Sequence, residues 1–335
     1  MNKIKFSVII PVYNGEKYIN RSINSIINQT CKDWELIIVN DGSKDNTEII
    51  VQDLINKNLD KKIKYIKIEN SGPSTARNIG FDASEGEYVC FLDSDDEYDH
   101  TLFAKLMLLD PNYDVCFFGW KEISEHSHVK YYNDSFKYVE NEKGIDVVFK
   151  KFNREVWLCN CNEIYKRELL INNNIRYPEG LFMGEDACFI YTALINAKNV
   201  TSLKENLFIN HIRQNSLMRS KISERDLTEL DAINELIRNI EISNNITHEE
   251  KDNLTDMFQA YYDYVKLIIT KKIADEFSLL SYYKFKEKQK RLLNDCNVNV
   301  KKIKKYLKKD FYRQALAYKL SPFLFFIVYK VSKRR

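Results

Sequence analysis

Between Phe6 and Leu92, short continuous apolar runs alternate with segments of helical periodicity, and no other feature constrains the fold as much. Phe6 to Val12, Trp34 to Val39, Ile63 to Ile68 and Tyr88 to Leu92 are short runs with turn residues between them, the pattern of buried strands. Ile19, Ile23, Ile26 and Ile27 recur at helical spacing. Asp45 to Ile55 reads as a second helix with Asp45 as its cap, and Ser74 to Ala83 as a third. Strands without polar alternation are covered on both faces, and the intervening helices supply the cover. The expectation is therefore an α/β fold with a mostly parallel sheet.

From about Tyr113 the pattern becomes mixed, with a strand at Val115 to Trp120 and a polar excursion to about Tyr138. Beyond Lys221 Gly and Pro are scarce, and Leu227, Leu230, Ile233, Leu236 and Ile237 keep helical spacing. The expected division is an α/β domain over 1–220 and an α-helical domain over 221–335.

Composition narrows the function classes. The 51 basic and 48 acidic side chains nearly balance, which gives no reason to expect nucleic acid as a partner. Seven cysteines without framework spacing read as reduced thiols of a cytosolic protein, and Cys159-Asn-Cys161 lacks the spacing of a zinc site. Met1 to Lys5 leads straight into the first strand, so no signal peptide is expected. The longest apolar run, Leu320 to Tyr329, is shorter than the roughly 20 residues that span a bilayer, and a soluble or peripheral protein is expected.

The chemistry collects at strand ends, where open α/β sheets bind their ligands. Asp93-Ser94-Asp95 follows the fourth strand, and two carboxylates so placed suit a hard divalent cation shared with phosphates. The other reading is a solvated acidic turn. An EF-hand fails because Glu97 and Tyr98 break its loop pattern. Tyr13, after the first strand, is placed to stack on a base, and Asp41, after the second, to accept from a nucleobase N–H. Asn70 to Gly80 opens the third helix, where amide groups and Arg77 favour a diphosphate. Singly these are a loop aromatic, a turn residue and a helix charge; together they describe a nucleotide-diphosphate pocket with a metal. No Walker A sequence is present, which excludes P-loop chemistry.

The runs VIIPVYNGEKYI, VNDGSKDNT, NSGPSTARNIG and FLDSDD resemble the signature of the family 2 glycosyltransferases of the GT-A fold. The resemblance covers about residues 5 to 120 and continues more thinly through Ile164 to Glu168, Gly184 to Phe189 and Arg213 to Ser216. It implies a GT-A domain whose 1–110 half binds a nucleotide sugar, a UDP-sugar first, and whose 111–220 half binds the acceptor. It implies transfer with inversion to a hydroxyl of a glycan or lipid-linked glycan, with Mn²⁺ or Mg²⁺. By the same resemblance Tyr13 and Asp41 hold the base, with Pro11 and Val12 shaping their loop. Arg77 lies near the nucleotide, Asp93 and Ser94 face the ribose or sugar, and Asp95 ligates the metal. Asp186 is the general base that takes the acceptor proton; its other reading is an acidic helix start favoured by the macrodipole. His211 is a metal ligand or phosphate contact, or a surface histidine, and Arg213 a second cation. Trp157 is either a stacking floor for a sugar or a core residue.

Two rivals remain from the sequence. A sugar-phosphate nucleotidyltransferase would carry a Gly-rich loop where Pro-Val-Tyr-Asn-Gly stands. A non-catalytic subunit of a polysaccharide assembly complex would bind donor without turnover. At the other end, basic runs at Lys301 to Lys309 and Tyr329 to Arg335 bracket the aromatic-rich Phe311 to Phe326. They suit a helix in a membrane interface or one packed on the protein. The resemblance favours peripheral contact of 301–335 with the inner face of the cell membrane, and leaves room for an oligomer.

Overall fold

The computed structural model describes residues 5–332 apart from 125–127, 133–134, 213–223, 279–280, 294–297 and 308. The chain divides into two compact units, Met1–Gly180 with Phe189–Ser216, and Leu181–Cys188 with Leu217–Arg335.

The first unit opens with β1 (Phe6–Val12), α1 (Ile19–Ile27), β2 (Trp34–Asp41), α2 (Thr47–Lys57), β3 (Ile63–Ile68), α3 (Pro73–Asp82) and β4 (Tyr88–Phe91). Then come β5 (Glu97–Tyr98), α4 (Leu102–Leu106), β6 (Val115–Ser124), β7 (Val129–Tyr131) and α5 (Gly144–Phe152). After β8 (Glu163–Lys166) and α6 (Arg167–Asn172), α7 (Glu185–Asn196) begins in the residues grouped with the second unit, and β9 (Val200–Ile212) follows. The strands form one sheet in the order β3-β2-β1-β4-β8-β6-β9-β5, with β7 on β6.

β1 is parallel to β2 and to β4, and β2 to β3, as the apolar runs predict. Every residue of β1, β2 and β4 is buried. α1 turns Ile19, Ile23 and Ile26 into this core. α3 lies so close that a Cβ on Gly80 would stand 2.4 Å from Ile9 Cγ2, so only glycine fits that position. The chain runs outward from β1 to β2 to β3, then returns to the opposite side of β1 for β4. That reversal leaves a crevice at the carboxyl ends of β1 and β4, the topological switch point of such a sheet.

Two local expectations shift. Asn46 rather than Asp45 is the N-cap of α2, and the Asp45 carboxylate accepts from Thr47 N at 3.1 Å and Glu16 N at 3.0 Å. α3 starts at Pro73, whose missing N–H costs nothing in a first turn. The antiparallel β8 and the long β9, which complete the sheet by non-local pairing, were not among the predicted strands.

The second unit contains α8 (Thr228–Ile242), α9 (His248–Asp275), α10 (Tyr282–Leu293), α11 (Val300–Tyr306), α12 (Lys309–Leu320) and α13 (Pro322–Ser332). A capping box between Thr247 and Glu250 fixes the start of α9. Ala260 and Leu267 of α9 form a core with Ile303, Ala315, Tyr318 and Phe325. Phe311 stacks on Tyr264 at 4.1 Å and Phe326 on Phe285 at 4.7 Å. Much of the aromatic run therefore packs within this unit, while Leu320 and Phe323 stay exposed. No helix among the described residues is long and apolar enough to cross a membrane.

Candidate active site

The loops that leave β1 and β2 are bonded to one another. Asn14, in the left-handed region at φ 50°, donates its N–H to Ser43 Oγ at 2.9 Å and accepts from Lys44 N at 2.8 Å. Gly15 N donates to Thr47 Oγ1 at 2.8 Å, and Asn46 N to Glu16 Oε2 at 3.1 Å. Pro11 and Val12 sit in register beside Val39 and Asn40, one step from Asp41. Tyr13 is 47% exposed, so a flat partner can reach it.

Asp41 is buried, and its carboxylate accepts from Ser71 N at 2.6 Å and Gly72 N at 2.9 Å. It therefore shapes the loop before α3, a task the sequence did not show. Asn70 Nδ2 also donates to the carboxylate at 3.4 Å, and since an ionised carboxylate has about four acceptor sites, these three donors leave capacity for one ligand N–H.

Across the crevice, Arg77 Nη2 donates to Asp93 Oδ1 at 2.9 Å. Burial works against the guanidinium charge, but Asp93 more than offsets it and Arg77 titrates above its ordinary value. The Tyr177 ring lies 5.1 Å from the guanidinium. The Asn160 amide is best set with its oxygen 3.0 Å from Arg77 Nη2 and its NH₂ 2.5 Å from Tyr177 Oη, since the reverse setting faces like groups at each other. Asn160, Tyr177 and Cys161, whose Sγ accepts from Asp93 N at 3.4 Å, are site residues that no local motif marks.

Asp96 is the buried member of the acidic run. Burial first, and then the charge of Asp93, push its carboxyl up to about 8. Its Oδ1 accepts from the His211 backbone N–H at 2.9 Å, and the His211 imidazole stands 2.6 Å from Glu97 Oε1. Arg21 of α1 donates to the Asp95 carbonyl, and Ser22 Oγ to the Asp96 carbonyl at 2.7 Å. A Cβ on Gly15 would stand 3.7 Å from Ser94 Oγ, so the β1 and β4 loops meet across that glycine.

Asp93, Asp96 and Cys161 each bring a ligand atom within 4.8 Å of the others. Asp95 and His211, the metal ligands expected from the sequence, are outside that group. The crowding that raises Asp96 is the condition a divalent cation relieves, so the carboxylates fit one. Burial and the neighbouring carboxylates hold the Cys161 thiol well above its usual value, which makes it the poor donor of the set.

Asp186 lies in the first turn of α7, among the residues grouped with the second unit, and its Oδ1 accepts from Ala187 N at 2.7 Å. Gly184 before it has φ 82°, and a Cβ there would stand 2.9 Å from Ala232 Cβ. Burial, with the charge of Asp186 adding, raises Glu229 of α8. Arg213 lies outside the described residues.

The family described as Glycosyl transferase family 2 matches residues 7–172, the stretch that carries Asp41, Arg77 and Asp93 to Asp96. "Glycosyltransferase GlyA" of Streptococcus pneumoniae is 28% identical over 304 residues, 88% of this chain and 42% of its own. "Poly(ribitol-phosphate) beta-N-acetylglucosaminyltransferase TarS" of Staphylococcus aureus is 32% identical over 218 residues, 61% of this chain and 35% of its own. The chain thus spans less than half the length of these curated relatives. A crystal structure of S. aureus TarS in complex with UDP superposes with a TM-score of 0.61 at 25% identity, over 77% of this chain and 71% of that one. The complex with UDP-GlcNAc gives 0.71 at 24%, over 98% and 91%. The expected GT-A fold with a helical C-terminal region is borne out. Through residues 7–172, just under half of its length, the chain is similar to glycosyl transferase family 2.

Proposed function

We propose that the chain is an inverting glycosyltransferase that moves a sugar from a nucleoside diphosphate to a hydroxyl of a glycan or lipid-linked glycan. The observation that carries this reading is the Arg77–Asp93 pair beside the acidic loop after β4, on the same carboxyl edge of the sheet as the amide-bonded Asp41. TarS is named for N-acetylglucosamine transfer and has been crystallised with UDP, so UDP-N-acetylglucosamine is the first donor to try. Its polymer acceptor is not carried over, because this chain spans 35% of that protein.

In this reading Tyr13 and Asp41 hold the base, with Pro11 and Val12 behind them. Arg77 neutralises Asp93, and Asp93 and Ser94 orient the ribose and sugar. Asp95, together with the Asp93 and Asp96 carboxylates, would hold Mn²⁺ or Mg²⁺, and His211 steadies that loop from β9. Such a metal would neutralise charge growing on the departing diphosphate. The acceptor oxygen forms the new bond to the anomeric carbon as the bond to the diphosphate oxygen breaks, and the electron pair leaves with UDP. Asp186 takes the acceptor proton, a contribution of roughly 10²–10⁴-fold. The 1–110 half serves the donor, 111–220 the acceptor, and the helical domain 221–335 brings the enzyme to the inner face of the membrane.

The test is UDP release from a panel of UDP-sugars with Mn²⁺ and no acceptor, with EDTA and Asp95→Asn as controls. Metal-dependent release from one donor supports the reading. Donor binding without turnover, even with glycan acceptors added, would favour the non-catalytic subunit instead.

A further inference from the structure

A patch of aromatic rings in the first unit takes no part in the donor crevice. Trp120 of β6 stacks on Tyr132 with centroids 3.9 Å apart and planes 2° from parallel. Trp157 lies 6.1 Å from Trp120 at an interplanar angle of 23°, and Phe136 lies 5.3 Å from Trp157. Trp34 and Trp120 are buried, but Trp157 is 39% exposed. Leaving a tryptophan so exposed forfeits part of the hydrophobic stabilisation that its burial would give. Trp120 Nε1 is buried in the same stack without a hydrogen-bond partner among the described residues. The space between these rings holds only about 10 Å³, too little for a ligand, so the usable surface is the solvent-exposed part of Trp157.

The position of Trp157 is enforced. Asn162 donates to the Trp157 carbonyl at 3.2 Å and to the Phe118 carbonyl at 2.8 Å, and accepts from Cys159 N at 2.7 Å. These bonds fasten the turn before β8 onto β6. Three residues after Trp157 comes Asn160, whose amide meets Arg77, the partner of Asp93. A chain covers at most about 3.5 Å per residue, which puts the two Cα atoms within about 11 Å.

Polar groups rim the rings. The Lys130 ammonium lies 4.5 Å over the Tyr132 ring, and Tyr132 Oη donates to Glu122 at 2.7 Å. Lys137 pairs with Glu155 at 2.8 Å in an exposed position. A pyranose ring has this same division, an apolar C–H face and hydroxyls around its edge. A flat aromatic floor with charged hydrogen-bonding groups at its rim matches it, and a purely apolar partner would leave the rim unused.

We infer that Trp157, backed by Trp120 and Phe136, is a stacking platform for a sugar ring of the acceptor glycan, set beside the donor crevice. This rests on the glycosyltransferase reading above. The test follows tryptophan emission of the full chain during titration with maltotriose, chitotriose and galactobiose, while calorimetry measures UDP binding in parallel. At least one saccharide is expected to shift the emission. Saturation-transfer NMR with the same saccharide then compares variants: Trp157→Ala weakens binding about tenfold, Trp157→Phe retains most of it, and UDP affinity is unchanged. Trp157→Leu, which keeps apolar volume without a flat ring, is the second variant and should lose as much as Trp157→Ala. The inference is overturned if UDP binds but no saccharide does, or if Trp157→Ala or Trp157→Leu binds as the unaltered protein does. Failure of UDP and of the other nucleoside diphosphates, GDP, dTDP and ADP, to bind overturns the glycosyltransferase reading itself, and this platform with it.

Discussion

Asp93→Ala should destabilise the first unit more than Arg77→Met, although both break the same ion pair. The asymmetry follows from exposure: the Arg77 side chain is 7% exposed and that of Asp93 39%. Removing Asp93 strands a guanidinium that cannot reach water, and breaking a buried pair in this way costs about 3–5 kcal/mol. The Asn160 oxygen and the Tyr177 ring stay in place as weaker partners, so the lower end, about 3 kcal/mol, is expected. Removing Arg77 leaves a carboxylate that water reaches, and methionine fills most of the vacated volume. Screening limits that loss to about 1 kcal/mol. The double variant removes both charges and should cost about 1–2 kcal/mol, well below the sum of the single changes. All three tryptophans, Trp34, Trp120 and Trp157, lie in the first unit, so urea unfolding followed by tryptophan emission reports on it. If Arg77→Met costs as much as Asp93→Ala, or the single changes add to within about 0.5 kcal/mol, the pair is not coupled as described.

Three further outcomes are expected. Asp186→Asn should bind UDP-sugar with unchanged affinity and lose transfer by roughly 10²–10⁴-fold; calorimetry and product assay separate the two, and a variant keeping more than about a tenth of the rate excludes Asp186 as the base. Asp41→Ala frees the Ser71 and Gly72 amides, and should cost about 1–3 kcal/mol in urea unfolding while weakening UDP binding; unchanged UDP affinity would remove Asp41 from the base pocket. Burial raises the Asp263 carboxyl, a group 5% exposed that accepts from Asn299 N at 2.8 Å. A raised folded value means stability is fully present below the unfolded value and is lost as pH rises through the folded one. Asp263→Asn should therefore raise Tm at pH 7 and lose that advantage as the pH falls below the ordinary carboxylate range. An equal Tm difference at both ends would refute the sign.

The strands β1 to β4 and their helices were legible because a strand covered on both faces is apolar at every position, and a helix on its flank repeats its apolar residues every three or four. Tyr13, Asp41 and Asp93 were legible as strand-end residues, and Arg77 as a residue of the helix after the third strand, for the same reason: once the parallel sheet is read, its carboxyl edge is known. The strands that pair over long distances were harder. β8 is only four residues long and β9 has exposed positions along its middle, so neither carries a strong periodic signal.

By itself, then, the sequence determined the layer architecture, the helical C-terminal region and the edge of the sheet on which the candidate site residues lie. These depend on local periodicity and turn chemistry, which a linear string of residues contains. Tertiary structure alone decided which neighbouring carboxylate of the acidic run is buried, and it was Asp96, held by the His211 amide 115 residues away. It also brought Asn160 and Tyr177 to the Arg77–Asp93 pair and set Trp157 outward on a floor of other rings. The physical reason is one and the same. Periodicity records that a side chain meets the core or the solvent, whereas its partner depends on strand register and loop path, which are settled only when distant segments close on each other.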